Sequence, residues 1–385
     1  MGNGTGATGA QALDAPLHRI EIVLAALVSM CEPVVSVVIE SSGAAGCVAA
    51  QDVVASRPVP LRDEALIDGC AVNSADLIGA SPISPAFAMA EPKRVRVGDP
   101  LPPDCDAIID SALVVGAQEP FEIHGSPAPG EGVRRAGDDF AQGDFIVRAG
   151  ARITSLEACA LTIAGVDALP VRQPRLRMIV ASNDANVRAS ASLIGALVMF
   201  DCVIADQPSY SSVTLEGVVK AFDGEWDASF VIGGAGGSES DYAVDALRSC
   251  GSALAHGFAL DAGRTGAAGC VKGRPVICLP GRFESAVGVY LALGRPLLRL
   301  LAGASPPPLA TQALLARKIA SSVGVAQLAF LRLVDGKWAP LAVGDLTLAG
   351  LIRSDAYLII PEASEGFADG AMIQPFLMPG RSERG

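Results

Sequence analysis

The sequence predicts a multidomain protein of α/β and β class: a β-rich N-terminal and lid region, an α/β domain on a parallel sheet, and a small C-terminal β-barrel domain. Three observations carry this. Up to about residue 173 the apolar residues come in short runs punctuated by Gly and Pro, the pattern of short strands and turns. From Leu176 onward, buried apolar runs alternate with stretches of helical spacing, which builds a parallel sheet with crossover helices. At Ser305-Pro306-Pro307-Pro308 the triple proline can continue neither element and closes that unit. The expected domains are therefore 14–173, 174–303 and 304–378, and 385 residues are ample for three cores.

In chain order, apolar residues at Leu17, Ile20, Val23, Leu24 and Leu27 predict a helix over 15–28, and a second is expected over 41–54. Prolines 58 and 60 then forbid helix, and Asp68-Gly69 marks a tight turn. Short strands follow through Ile108 and Ile109, with turns at Asp138-Asp139 and Gly143-Asp144. A helix over 156–164 ends at Gly165, and 170–174 reads as a linker. The middle domain is expected to place strands at 176–180, 202–205, from Phe230 and at 275–279, with helices at 189–199, 213–222, 241–250 and 284–301. Beyond the prolines, turns at Asp335-Gly336, Gly344-Asp345 and Asp369-Gly370 separate short strands of a barrel or sandwich.

Composition removes several function classes. A formal net charge of −12 argues against a nucleic-acid surface, which needs clustered Lys and Arg to displace counterions. No apolar run reaches membrane-spanning length, since the best, Ile22 to Cys31, stops at Glu32-Pro33. The start MGNGTGATGAQALDAP has neither a basic nor an apolar signal region, so the cytoplasm is the expected compartment. Nine cysteines without a C-x-x-C pair, and only three histidines, argue against zinc and for thiols in a reducing compartment.

The stretch with the most chemical content is FVIGGAGGSESDY, Phe230 to Tyr242: a strand delivering a glycine loop toward a helix start. Glycines there let backbone N–H groups approach an anion, and the helix dipole would add to the attraction. Neither the dinucleotide spacing G-x-G-x-x-G nor G-K-[ST] is present, so a ligand-free glycine turn remains open on these residues alone.

Several segments, taken in order, resemble the molybdopterin molybdenumtransferase (MoeA) family, whose eukaryotic relative is the gephyrin E domain. They are SSGAAGCVAAQDVVASRPVP with LIDGCAV, GDPLPPDCDAII, GVRRAGDDFAQGDFIVRAGARIT, and GRPVICLPG. The resemblance implies an L-shaped homodimer that ligates molybdate to the dithiolene of adenylylated molybdopterin and releases AMP, with Mg²⁺ as a candidate ion. It implies catalytic roles for Asp68 (the family's M-D-G-Y-A turn), Asp139 (its G-E-D motif), Asp206 and Asp241, the last two also as candidate metal ligands. For the pterin substrate it implies Gly233, Gly234, Ser238, Asp184, Arg264, Pro280, Gly281, Arg282, Ser285 and, in the C-terminal domain, Arg332. Each acid by itself is equally a turn former or helix cap.

The departures from the family pattern bear on activity. Val97-Gly98-Asp99 replaces T-G-A, Ala185 stands in place of a glutamate, and Asp261 and Arg264 take the places of two lysines. Arg282, Phe283 and Glu284 are new within LPGRFESA. A Lys-to-Asp exchange beside a phosphate reverses an attraction. Two readings follow: a working transferase with altered side chains, or a catalytically impaired paralogue that carries the pterin cofactor or scaffolds a molybdoenzyme or maturation partner.

Overall fold

A computed structural model describes residues 16–201, 204–206, 209–210, 214–236 and 241–381. The first helix, Ile20–Ser29, buries Ile20, Val23 and Leu27. It begins later than the apolar spacing suggests because His18 is held extended: its N–H donates to Gly257 O at 2.9 Å and its O accepts from Ala259 N at 2.7 Å. The helix expected over 41–54 does not form. Ser41–Gly43 makes one 3-10 turn, and Val48–Ala49 and Val53–Val54 are strands. Gly46, at φ +90°, ends any helix there. The flanking Cys47, Val48, Ala49 and Val53 are all buried, Cys47, Ala49 and Val53 in one core with Leu161, Leu169 and Val171.

The linker expected at 170–174 is in fact mostly strand. Ala168–Arg172 is the middle of a three-stranded sheet, flanked by Val37–Glu40 and Val48–Ala49. Pro170 is tolerated there because its carbonyl still accepts, from Ala50 N at 2.9 Å. The helix Ser155–Ile163 starts on a capping box of Thr154 and Glu157. Between these elements lies the lid, where Gly69–Val72 pairs with Arg94–Val95 and Ala107–Ile109, and Val133–Arg134 with Glu64–Ala65.

The middle domain is built on β1 (Arg175–Val180), β2 (Ala228–Ile232), β3 (Gly251–His256), β4 (Ala267–Val271) and β5 (Arg274–Leu279). Its helices are α1 (Ala185–Val198), α2 (Leu215–Ala221), α3 (Ala243–Cys250) and α4 (Phe283–Val289). β1, β2 and β5 run parallel, as the alternation predicts. Side chains alternate between faces: Met178, Phe230 and Ile277 pack with α1 and α4, while Ile179, Val231 and Cys278 pack with α2 and α3. The hairpin β3–β4 is antiparallel and makes the sheet mixed. Its Ala- and Gly-rich segments, GSALAH and AAGCV, have little intrinsic strand propensity, so only sheet contacts reveal them. α4 continues through a π turn at Tyr290–Gly294 into the helix Arg295–Leu301.

After the prolines, a six-stranded sheet follows, with Lys337–Val343 and Gln327–Val334 at its centre. A short helix, Leu348–Arg353, capped by Thr347, interrupts the expected all-strand pattern. Leu328, Phe330, Tyr357 and Met378 join the core of the middle domain, so this sheet is packed directly against it. Among the described residues no helix is long and apolar enough to cross a membrane.

Candidate functional site at the strand carboxyl ends

A parallel sheet leaves its ligand crevice beyond the carboxyl ends of its strands. A cleft of about 590 Å³ opens there. β1 supplies Ser182 and Asp184, β2 supplies Gly233 to Gly236 with Asp241 beyond them, and β5 supplies Pro280, Gly281, Arg282 and Ser285. The loop carrying Asp261, Arg264 and Thr265 closes one side.

Two glycines shape the floor. Gly233 (φ +81°) donates its N–H to Leu279 O at 2.9 Å, locking the end of β2 onto β5. Gly234 (φ +69°) accepts from Ala243 N at 2.9 Å, which seats the start of α3. At Gly281 a Cβ would lie 2.7 Å from Val187 Cγ2 and 3.7 Å from Gly233 Cα, so the two strand-end turns meet over Val187. Asp184 is the N-cap of α1: its Oδ1 accepts from Asn186 N at 2.7 Å. Ser190 Oγ donates to Gly281 O at 2.8 Å and ties α1 to the turn after β5.

The charge in the cleft is nearly balanced, with Asp184, Asp241 and Asp261 set against Arg264 and Arg282. Arg282 is largely exposed and pairs with Glu284. Asp261 Oδ2 accepts from Gln327 Nε2 at 2.9 Å, while its Oδ1 faces Arg264 Nη2 at 3.5 Å. Below the cleft, burial pushes the Cys278 thiol up to about 12.

The structure thus gathers Asp184, Gly233, Gly234, Asp241, Arg264, Pro280, Gly281, Arg282 and Ser285 from the sequence-derived set into one cleft. Ser238 lies outside the described residues. Asp68, Asp139, Asp206 and Arg332 are not in its lining. Asp68 sits on the lid and accepts from Val97 N at 2.8 Å. Asp139, also on the lid, pairs with Arg134. Asp206 is engaged by Arg177 Nη1 at 2.7 Å, so Asp206 and Asp241 are not a pair within the cleft. Among the described residues no group of three or more His, Cys, Asp or Glu is placed to hold a metal ion. Arg332 is exposed on the central strand pair of the C-terminal sheet. Ser182, Asn186, Val187 and Thr265 line the cleft without having been singled out; the ASNDAN turn was the available signal for the first two, and nothing in the sequence marks Val187.

Residues 11–165 match the family model of the MoeA N-terminal region, domains I and II. Over that segment the chain is similar to MoeA proteins. A putative molybdopterin biosynthesis protein of Methanocaldococcus jannaschii is 25% identical over 365 residues, covering 86% of this chain and 89% of the relative. Molybdopterin molybdenumtransferase 2 of Mycobacterium tuberculosis is 26% identical over 333 residues, covering 74% and 79%. Two structures of a molybdopterin biosynthesis MoeA protein from Pyrococcus horikoshii share the fold, each with a TM-score of 0.63 over 94% of this chain and 100% of theirs, at 24% and 20% identity.

Proposed function

We propose that this MoeA-like protein is a molybdopterin molybdenumtransferase of molybdenum cofactor biosynthesis, joining molybdate to adenylylated molybdopterin with release of AMP. The observation that carries the reading is the cleft itself, at the carboxyl ends of the parallel strands, where the turns Gly233-Gly234 and Pro280-Gly281 meet beside Asp241 and Arg264. Relatives named as molybdopterin molybdenumtransferases, matched along most of their length, supply the reaction class. Mg²⁺ fits as a guest of the substrate: among the described residues no three or more His, Cys, Asp or Glu are grouped to hold an ion, and Mg²⁺ commonly needs only one or two carboxylates when phosphates provide the rest.

The reading includes a homodimer. Asp68 and Asp139 stand on the lid, outside the cleft of their own chain, and a second protomer is what would bring such acids to it. The eight described cysteines are free thiols, which suits a cytoplasmic enzyme. The test is to incubate the purified protein with adenylylated molybdopterin, molybdate and Mg²⁺ and to measure AMP. Release that is lost in Asp241→Ala supports the transferase. Tight pterin binding without AMP release overturns it and leaves a carrier role.

A further inference from the structure

The cleft contains a carboxylate aimed at one of its own cations. Asp261 is fixed by two contacts with the C-terminal domain: its N–H donates to Ala326 O at 2.9 Å, within the backbone bridge of Leu260 to Ala326, and its Oδ2 accepts from Gln327 Nε2 at 2.9 Å. Gly344 (φ +69°) packs over this hydrogen bond so closely that a Cβ there would lie 2.8 Å from Asp261 Oδ2 and from Gln327 Nε2. The remaining oxygen, Oδ1, is thereby directed to Arg264 Nη2 at 3.5 Å. Both side chains line the cleft, and both remain partly open to it, at 33% and 49% exposure.

We propose that Asp261 is a specificity-determining residue that competes with the anionic group of the ligand for Arg264. This rests on the cleft being the anion-binding transferase site. A phosphate arriving at Arg264 must displace the carboxylate or share the guanidinium with it, and the carboxylate recaptures the arginine when the phosphate leaves. The residue therefore weakens retention of simple phosphates such as the AMP product. Because Gln327 holds it from the C-terminal domain, the strength of that competition depends on how this domain sits against the cleft.

The test is isothermal titration of the full chain with AMP and, separately, inorganic pyrophosphate. A purely structural Asp261 would lose affinity when altered. The proposal expects the opposite: Asp261→Asn, which keeps an oxygen for Gln327, binds both anions about fivefold tighter, the scale of one half-exposed ion pair. That gain should vanish in the Arg264→Gln background, and Asp261→Ser should reproduce its direction should Asp261→Asn fold poorly. Unchanged or weaker binding, a gain that persists without Arg264, or no anion binding by any variant overturns the proposal. If the wild type releases no AMP yet Asp261→Asn still tightens pyrophosphate, the transferase reading fails and the competition stands.

Discussion

Arg295 Nε lies 3.1 Å from Asp201 Oδ1, with the two side chains 3% and 0% exposed. Asp201 also accepts from Tyr290 OH, and Arg295 Nη1 reaches across to Tyr357 OH at 3.2 Å and Leu377 O at 2.8 Å. A buried charge pair is of little net value to stability when intact, but removing one partner strands the other without solvent. Arg295→Met should therefore cost about 3–5 kcal/mol in urea unfolding. Asp201→Leu combined with Arg295→Met should recover only part of that loss, because Arg299, whose Nη1 lies 3.7 Å from Asp201 Oδ1, then keeps its charge without an acid. A double variant as unstable as the single one would mean that the contacts to Tyr357 and Leu377 and the stranded Arg299 outweigh the Asp201–Arg295 pair.

Asp106 offers a pH-dependent contribution in the lid. Ser74 N and Ser74 Oγ each donate to its carboxylate at 2.7 Å, and these bonds hold its pKa below the usual Asp value. A depressed acid contributes fully above its unfolded pKa of about 3.9 and loses the contribution as pH falls through the lower folded value. The melting midpoint of the wild type should thus drop on acidification below about pH 4 more steeply than that of Asp106→Asn. At pH 7 Asp106→Asn should be the less stable by about 1 kcal/mol. Two curves that stay parallel to pH 2 would remove Asp106 from the acid response.

Much of the fold could be read from period and punctuation. The middle strands and helices follow their apolar spacing, and the helix Arg295–Leu301 ends before the triple proline. The failures share a cause. The 41–54 segment has helical composition, yet Gly46 and pairing with 145–147 and 168–172 make it strand. β3 and β4 are strands only because neighbours supply their partners, which no local pattern encodes. At the site, Gly233 belonged to a glycine loop that the sequence itself places after a strand, whereas Asp184 and Gly281 entered only through the family resemblance. Val187 and the Asp261–Gln327 bond were not legible, since the residues meet only through the three-dimensional packing.

Thiol chemistry separates the interior of the sheet from its surroundings. Cys278 on β5 is fully buried and its pKa is raised to about 12, whereas Cys159 is exposed on the helix Ser155–Ile163. The thiolate is the reactive form, and at pH 8 a group of that pKa is ionised in only about one molecule in 10⁴. Native protein should label rapidly at Cys159 and leave Cys278 untouched until the domain unfolds. Mass-spectrometric mapping after brief alkylation reads this directly. Prompt labelling of Cys278 in a fully folded sample would show that the sheet opens locally beneath the cleft.

The cleft floor makes a separable prediction at Gly233. Its φ of +81° is one that side-chain-bearing residues adopt only with strain, and a Cβ there would lie 2.9 Å from Val187 Cγ1 and 3.4 Å from Ser182 Cβ. Gly233→Ala therefore meets two penalties: about 1–2 kcal/mol for the left-handed backbone and a further steric term against Val187. Val187→Ala alone costs stability by emptying space beside α1, but in the Gly233→Ala background it removes the methyl that clashes. The double variant should accordingly be more stable than the sum of the single losses predicts, by about 1 kcal/mol in urea unfolding. Strict additivity would mean that α1 moves aside to accept the new methyl. In that event Ser190, whose hydroxyl bonds Gly281 O at 2.8 Å, should lose that bond, and Ser190→Ala would cost nothing further in Gly233→Ala.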